Sequence, residues 1–113
     1  MLKLYGVKTC DSCRKARRWL DAAKIDYQYI DLRDDGIDRH RLQGWLDTHG
    51  GKTLVNKRSR TWRELDAAAR AACETDPITC LLQHPTLIKR PVLETTDTSL
   101  VGFAASRYTA ALT

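Results

Sequence analysis

The chain has 113 residues, of which 42% are hydrophobic and 29% are charged, and this length predicts a single globular domain with one core. No apolar run approaches about 18 residues and no signal peptide opens the sequence, so we expect a cytoplasmic protein without a membrane partner. The net charge of +5 comes from basic residues that alternate with acids, which argues against a nucleic-acid-binding surface.

The N-terminal third predicts a strand, a helix and a second strand. Apolar residues alternate with Lys3 and Tyr5 over residues 1–7, as expected for a buried strand. A helical stripe follows, made by Ala16, Trp19, Leu20 and Ala23. Asp11 or Ser12 is expected to cap this helix. Residues 25–30 alternate again, so the segment predicts a right-handed βαβ unit with parallel strands.

The remaining sequence predicts helices, then a hairpin and a last helix. One helical pattern ends near residues 49–51, a second spans 61–72, and a third starts at Asp76-Pro77. Between the first two, residues 53–60 are expected to be irregular. Short apolar runs at 92–94 and 100–103 predict a hairpin, and residues 106–112 a closing helix. We therefore expect an α/β, thioredoxin-like fold. Its mixed sheet would have about four strands, a βαβ unit followed by ββα. A helical insertion at about 36–85 follows the second strand, all within one domain, 1–113.

The most informative motif is Cys10-Asp11-Ser12-Cys13, at the junction of the first strand and helix. Unpaired backbone N–H groups and the helix dipole favour a negative charge at a helix N-terminus, so the Cys10 thiol should have a low pKa. Cys13 would then lie close enough to attack a mixed disulfide formed on Cys10. The alternative for Cys13 is a small residue of the first helical turn.

Four cysteines are too few for a disulfide scaffold, and in a reducing compartment we expect them to remain thiols. Cys73 and Cys80, with His84, have a spacing that zinc could use, but the sequence nominates no fourth ligand. We therefore interpret Cys73 and Cys80 as packing residues and predict no metal site.

Basic residues are concentrated directly after the cysteine motif, at Arg14, Lys15, Arg17 and Arg18. One interpretation is a solvated helix face. The other is a positive field beside the thiolate that favours anionic substrates such as glutathione.

Three segments together resemble the ArsC/Spx/YffB family, which contains thioredoxin-fold arsenate reductases and Spx-type transcription regulators. The first two segments are Leu4-Tyr5-Gly6 and the stretch from Cys10 to Leu20. The third combines Leu87 to Leu93 with Leu100 to Phe103. The resemblance covers essentially the whole chain, and length and insertion place it nearest to the YffB-like branch.

The resemblance implies a role for each matched residue. Cys10 corresponds to the nucleophilic cysteine and Arg14 to the arginine of the Cys-x3-Arg signature. Arg90-Pro91 corresponds to the Arg-Pro pair in which the arginine holds the substrate oxyanion and the proline is cis beside the cysteine. A guanidinium offers planar paired donors that suit an oxyanion.

Two departures separate the chain from arsenate reductases. Gly6 stands where those enzymes carry a histidine, and Gly102-Phe103 stands where they carry an arginine. Arg107 is not treated as its equivalent, so Arg58 or Arg60 is the candidate for a second substrate-binding guanidinium.

The leading hypothesis is a thiol-dependent reductase with Cys10, Cys13, Arg14 and Arg90 as catalytic residues. Arg14, Arg58, Arg90 and Pro91 would bind the substrate, an oxidised thiol or an oxyanion. We expect no bound cofactor, glutathione as co-substrate, glutaredoxin as a further candidate partner, and a monomer. The alternatives are an Spx-like redox regulator that binds RNA polymerase and a true arsenate reductase that depends on glutathione or glutaredoxin.

Overall fold

A computed structural model describes residues 2–113 and contains four strands and seven α-helices in that range. The strands are β1 (Leu2–Gly6), β2 (Tyr27–Asp31), β3 (Val92–Glu94) and β4 (Ser99–Val101). The helices are α1 (Asp11–Ala22), α2 (Arg39–His49), α3 (Gly51–Leu54), α4 (Arg60–Glu64), α5 (Ala67–Thr75), α6 (Pro77–Gln83) and α7 (Ala105–Leu112). Met1, where the predicted first strand begins, lies outside the described residues. None of the helices within 2–113 is long and apolar enough to cross a membrane.

The sheet has the strand order β2-β1-β3-β4. β1 pairs in parallel with β2, with Leu4 opposite Tyr29, and pairs antiparallel with β3, with Leu4 opposite Leu93. β3 and β4 form the antiparallel hairpin. This mixed sheet of four strands, βαβ then ββα, confirms the predicted thioredoxin-like fold class.

The chain forms two compact units. The first contains the described residues up to Asp31 together with Arg90–Thr113, and the second contains Leu32–Lys89. The predicted helical insertion, at about residues 36–85, falls within the second unit. The first unit therefore contains the whole sheet, α1 and α7.

The core of the first unit is built where α1 and α7 pack on the sheet. Leu4, Ala16, Leu20 and Leu93 are fully buried there with Tyr108. The Tyr108 ring makes edge-to-face contacts with Trp19 at 5.6 Å and with Phe103 at 4.9 Å between centroids. Its hydroxyl is buried and has no hydrogen-bond partner within residues 2–113. Ala16, Trp19 and Leu20 of the predicted stripe therefore face the core, whereas Ala23 is exposed and follows the last residue of α1.

In the second unit, two helices, α4 and α5, stand where one helix was predicted over residues 61–72. Ser59 accepts a hydrogen bond from the Trp62 N–H and caps α4, while Asp66 accepts one from the Ala69 N–H and caps α5. Such caps satisfy N–H groups that a helix end leaves unpaired, so each starts a new helix. The stretch expected to be irregular, residues 53–60, overlaps the end of α3 at Leu54 and the start of α4 at Arg60. Asp76 caps α6 with Pro77 in its first turn, as predicted.

Candidate active site

The loop between β1 and α1 carries the candidate nucleophile and is fixed by backbone hydrogen bonds. The Cys10 N–H donates to the Val7 carbonyl at 3.0 Å and closes a turn. The Lys8 N–H donates to Oδ2 of Asp31 at 3.2 Å, and Asp31 is buried at the end of β2. Sequence reasoning missed Asp31, because its role depends on the parallel pairing of β1 with β2.

The Arg14 side chain, on α1, donates hydrogen bonds to the same loop. Its Nε donates to the Lys8 carbonyl at 3.4 Å and its Nη2 to the Thr9 carbonyl at 3.2 Å. Its Nη1 lies 3.3 Å from Oδ1 of Asp11. The guanidinium thus contacts two carbonyls and a carboxylate next to Cys10, and its predicted role in binding substrate stays a prediction.

Cys10 is the N-cap residue of α1, so the expectation that Asp11 or Ser12 caps this helix is wrong. The helix begins at Asp11, before the predicted position, because the extended backbone of Cys10 lets its carbonyl accept the first helical hydrogen bond from Arg14 N–H at 3.1 Å. The cysteine rather than a polar side chain therefore occupies the position where anions are stabilised.

The surroundings of Cys10 lower the pKa of its thiol to about 5. The largest cause is a hydrogen bond that the Cys13 thiol donates to the Cys10 sulfur; the backbone N–H groups of Cys13 and Ser12 and the charge of Arg90 add to it, and partial burial opposes it. The Cys10 side chain makes no cap hydrogen bond to α1 within residues 2–113. The contacts that lower the pKa therefore favour the thiolate form of Cys10.

Cys13 has the opposite character. It is 1% exposed, and its pKa is raised because its proton is held in the hydrogen bond to Cys10, because it is buried, and because the Cys10 charge repels a second one. The Val7 backbone N–H and the charge of Arg90 lower the Cys13 pKa, but by less than the hydrogen bond to Cys10 and burial raise it. The two sulfurs consequently share one proton, with the charge on the more exposed sulfur.

Gly6, at the end of β1, lies directly against Cys13. A Cβ atom at residue 6 would stand 2.7 Å from Cys13 Sγ, 3.1 Å from Cys13 Cβ and 3.4 Å from Cε1 of Tyr29. The sequence comparison with arsenate reductases marked Gly6 only as a missing histidine. In this structure the space in front of its α-carbon is filled by the second cysteine.

The Arg90-Pro91 peptide bond is cis, the isomer that the family resemblance implies. Pro91 is fully buried, and its carbonyl accepts a hydrogen bond of 2.8 Å from the Gly102 N–H. Gly102 has a φ of +79°, a conformation that favours glycine. Arg90 is near enough to Cys10 and Cys13 for its charge to lower the pKa of both thiols. The hairpin thus brings Arg90 to the thiol pair.

A model of the ArsC family matches residues 5–111. The chain belongs to the ArsC family. It is 39% identical over 112 residues to an uncharacterised protein of Haemophilus influenzae, covering 98% of each chain. A solved structure of the YFFB protein is 44% identical and superposes with a TM-score of 0.94 over 100% of both chains. The global transcriptional regulator Spx of Streptococcus pyogenes is 28% identical over 105 residues, which are 91% of this chain and 78% of Spx. These similarities confirm the predicted ArsC/Spx/YffB relationship.

The other arginines considered for this ArsC-family site have different surroundings. Arg58 lies in the second unit, where its N–H donates to Oδ1 of Asn56 at 3.1 Å and its carbonyl accepts from Arg63 at 3.3 Å. Arg60 Nε lies 4.0 Å from a Glu64 carboxylate oxygen. Arg107 donates to the Val101 carbonyl at 3.0 Å and so closes the end of β4. A substrate-binding role for Arg58 stays a prediction.

The expectation that all four cysteines are thiols is wrong for Cys73 and Cys80, which form a disulfide between α5 and α6. The residues are nearly buried and face each other across the Asp76-Pro77 helix junction, so their spacing brings the two sulfurs together. Cys10 and Cys13 are free thiols. A disulfide sulfur is not a thiolate ligand, and within residues 2–113 no group of three or more histidine, cysteine or acidic side chains could hold a metal.

Proposed function

We propose that this ArsC-family protein is a cytoplasmic thiol-dependent reductase whose nucleophile is Cys10. The single observation that carries the proposal is the Cys10 thiolate at the start of α1, with a pKa lowered to about 5 by the hydrogen bond from Cys13. A thiolate, not a thiol, attacks oxidised sulfur. Family membership and the position of Arg90 support the same conclusion.

In the first step the Cys10 thiolate attacks one sulfur of an oxidised substrate. The substrate S–S bond breaks, a Cys10 mixed disulfide forms, and the second sulfur leaves as a thiolate that takes a proton from water. With an oxyanion such as arsenate, the Cys10 sulfur would instead bond to the central atom and displace a hydroxide. Arg90 would stabilise the negative oxygens or the carboxylate of the bound substrate, since its guanidinium provides paired donors.

In the second step Cys13 or glutathione resolves the adduct. Formation of the mixed disulfide removes the charge on Cys10 and the hydrogen bond to it, which are among the causes that raise the pKa of Cys13. Cys13 can then lose its proton to solvent and attack the Cys10 sulfur, releasing the reduced substrate and leaving a Cys10–Cys13 disulfide. Two glutathione thiols restore the dithiol and form one oxidised glutathione. Glutathione alone, or glutaredoxin, would resolve the adduct without Cys13.

A true arsenate reductase is the more specific alternative. A tetrahedral dianion needs several charged donors, and each such hydrogen bond contributes about 1.5–3 kcal/mol. Arg90 acts on the thiol pair, whereas Arg14 already contacts Asp11 and two carbonyls. Arsenate reduction therefore requires Arg14 to exchange partners, and disulfide reduction does not.

The proposal is tested with a glutathionylated peptide as substrate and glutathione as reductant, by following the formation of oxidised glutathione. Cys10→Ser should abolish turnover, because a serine hydroxyl is not ionised at neutral pH. Cys13→Ser is the matched variant: it should retain the first step and, when no glutathione is added, accumulate a mixed disulfide on Cys10. Turnover by Cys10→Ser would show that another group is the nucleophile. Arsenate in place of the peptide distinguishes the two substrate classes.

The similarity to Spx favours a second candidate function, a redox-sensing regulator in which the cysteine pair is a switch. The matched region is 91% of this chain. Its output would be binding to RNA polymerase. Co-purification with RNA polymerase in either the dithiol or the Cys10–Cys13 disulfide state would support this candidate, and failure in both states would remove it.

A further inference from the structure

Two side chains occupy the space in front of Gly6. Cys13 Sγ would lie 2.7 Å from a Cβ at this position, a separation that real Cβ atoms essentially never show. Tyr29 lies on the other side, with Cε1 at 3.4 Å. The Arg17 guanidinium covers the Tyr29 ring at 4.3 Å from the centroid. A side chain at residue 6 would therefore be confined between a sulfur and a covered ring.

Cys13 and Tyr29 differ in how easily they can move away from a side chain at residue 6. The Cys13 side chain has one rotatable bond, so its sulfur is the atom that a rotation displaces most. Its Cβ, at 3.1 Å, is fixed by the first turn of α1. Tyr29 is at ordinary contact distance and needs no displacement. An added methyl group at residue 6 would thus act first on the Cys13 sulfur, the atom that donates the hydrogen bond to Cys10.

We propose that Gly6 is a positioning residue of the thiol pair, because only a residue without a side chain lets the Cys13 sulfur lie behind Cys10 and donate to it. The proposal rests on the proposed function for its importance to catalysis. The arrangement itself is a property of residues 6, 10 and 13 and does not depend on which substrate is reduced.

Gly6 stands where arsenate reductases carry a histidine, and its close contact with Cys13 gives this difference a physical basis. In this backbone a residue larger than glycine at position 6 requires the Cys13 sulfur to move, because a Cβ at this position would lie 2.7 Å from it. The chain therefore has a buried donor thiol where a side chain from β1 would otherwise stand. We expect the glycine and the second cysteine to act as one unit in setting the reactivity of Cys10.

The test is the pH dependence of alkylation of Cys10 by iodoacetamide, read at the Cys10 peptide by mass spectrometry. Gly6→Ala should raise the Cys10 pKa by about one pH unit, the effect expected from losing a hydrogen bond to a charged group, and slow alkylation at pH 5 about twofold. Gly44→Ala is the matched control, because a Cβ at Gly44 meets no atom within 4 Å, and it should leave the profile unchanged.

A double-mutant cycle with Cys13→Ala separates positioning from a general structural effect. If Gly6 acts through Cys13, the double variant should have the same Cys10 pKa as Cys13→Ala alone. Additive shifts, or a Gly6→Ala profile identical to that of the unmodified protein, would overturn the proposal. If Gly6→Ala does not fold, the double variant must be the more stable of the two, since it removes the 2.7 Å contact with the sulfur; equal instability would also overturn it. Because the readout is alkylation, loss of turnover on every disulfide tested would refute the proposed function and leave this result standing.

Discussion

Replacement of Cys13 by alanine removes the hydrogen bond that does most to stabilise the Cys10 thiolate. A hydrogen bond to a charged group has a net value of about 1.5–3 kcal/mol, and one pH unit corresponds to about 1.4 kcal/mol. Loss of the bond therefore raises the Cys10 pKa by about one to two pH units. Cys10 is partly exposed, so water replaces part of the bond and the lower value is expected.

The sign of the effect depends on pH. From a starting pKa of about 5, a rise of about one pH unit lowers the thiolate fraction at pH 5 from about one half to about one tenth. Because the more basic thiolate of the variant is also about threefold more nucleophilic, alkylation at pH 5 should then slow about twofold, and at pH 4 about threefold. At pH 8 Cys10 is ionised in both proteins, and the more basic thiolate of the variant should react about threefold faster, because nucleophilicity rises with pKa. The two pH profiles should cross.

Cys13→Ser is the matched control for this experiment. The serine hydroxyl can donate to Cys10 as the thiol does, so its profile should stay near that of the unmodified protein. The assay is stopped-flow or quenched alkylation of Cys10 between pH 4 and 9, resolved by peptide mass spectrometry. Identical midpoints for the alanine variant, the serine variant and the unmodified protein would refute the assignment of Cys13 as the donor.

Three further outcomes follow from the structure. Arg90→Lys should raise the KM for an anionic substrate about tenfold with a smaller change in kcat, because a point charge does not replace a planar pair of donors; steady-state kinetics with an unchanged KM would place the anion elsewhere. Replacing Cys73 and Cys80 by serine should lower the free energy of unfolding by about 2.5 kcal/mol, as expected for a short closed loop, and reductant should then affect urea unfolding of the unmodified protein only. Tyr108→Phe removes a buried hydroxyl without a partner in residues 2–113 and should raise the free energy of unfolding by about 1 kcal/mol; a decrease would show that the hydroxyl is hydrogen-bonded in solution.

The fold was predictable from local sequence patterns to the extent that those patterns are regular. Alternation over β1 and β2, the helical stripe of α1 and the Asp76-Pro77 start of α6 all predicted elements that the structure contains. The second unit was harder because short helices depend on single caps. Ser59 and Asp66 each accept a backbone N–H and begin a helix, and neither stands out in a sequence rich in polar residues.

Some residues of the candidate site are also predictable from local sequence patterns, and others are not. Cys10 and Cys13 were found because their spacing and their place before a helix are visible in the sequence. Gly6 and Asp31 were not found, since one acts through close packing on Cys13 and the other through strand pairing that brings it to Lys8. The Cys73–Cys80 bond was excluded by an assumption about the compartment, although a helix junction brings these residues within 5.0 Å between α-carbons.

The position of β1 in the sheet has a consequence for synthesis on the ribosome. β1 is an inner strand, yet its Lys3 pairs with Glu94, which lies far from it in the sequence. During elongation one side of β1 stays open until β3 has emerged, and such long-range pairing makes folding slow and leaves an exposed strand edge in the nascent chain. Arg90 reaches Cys10 only at that late stage. A nascent chain stalled before β3 would thus carry the cysteine pair and the hydrogen bond between the two thiols without the positive charge of Arg90, which further lowers the Cys10 pKa.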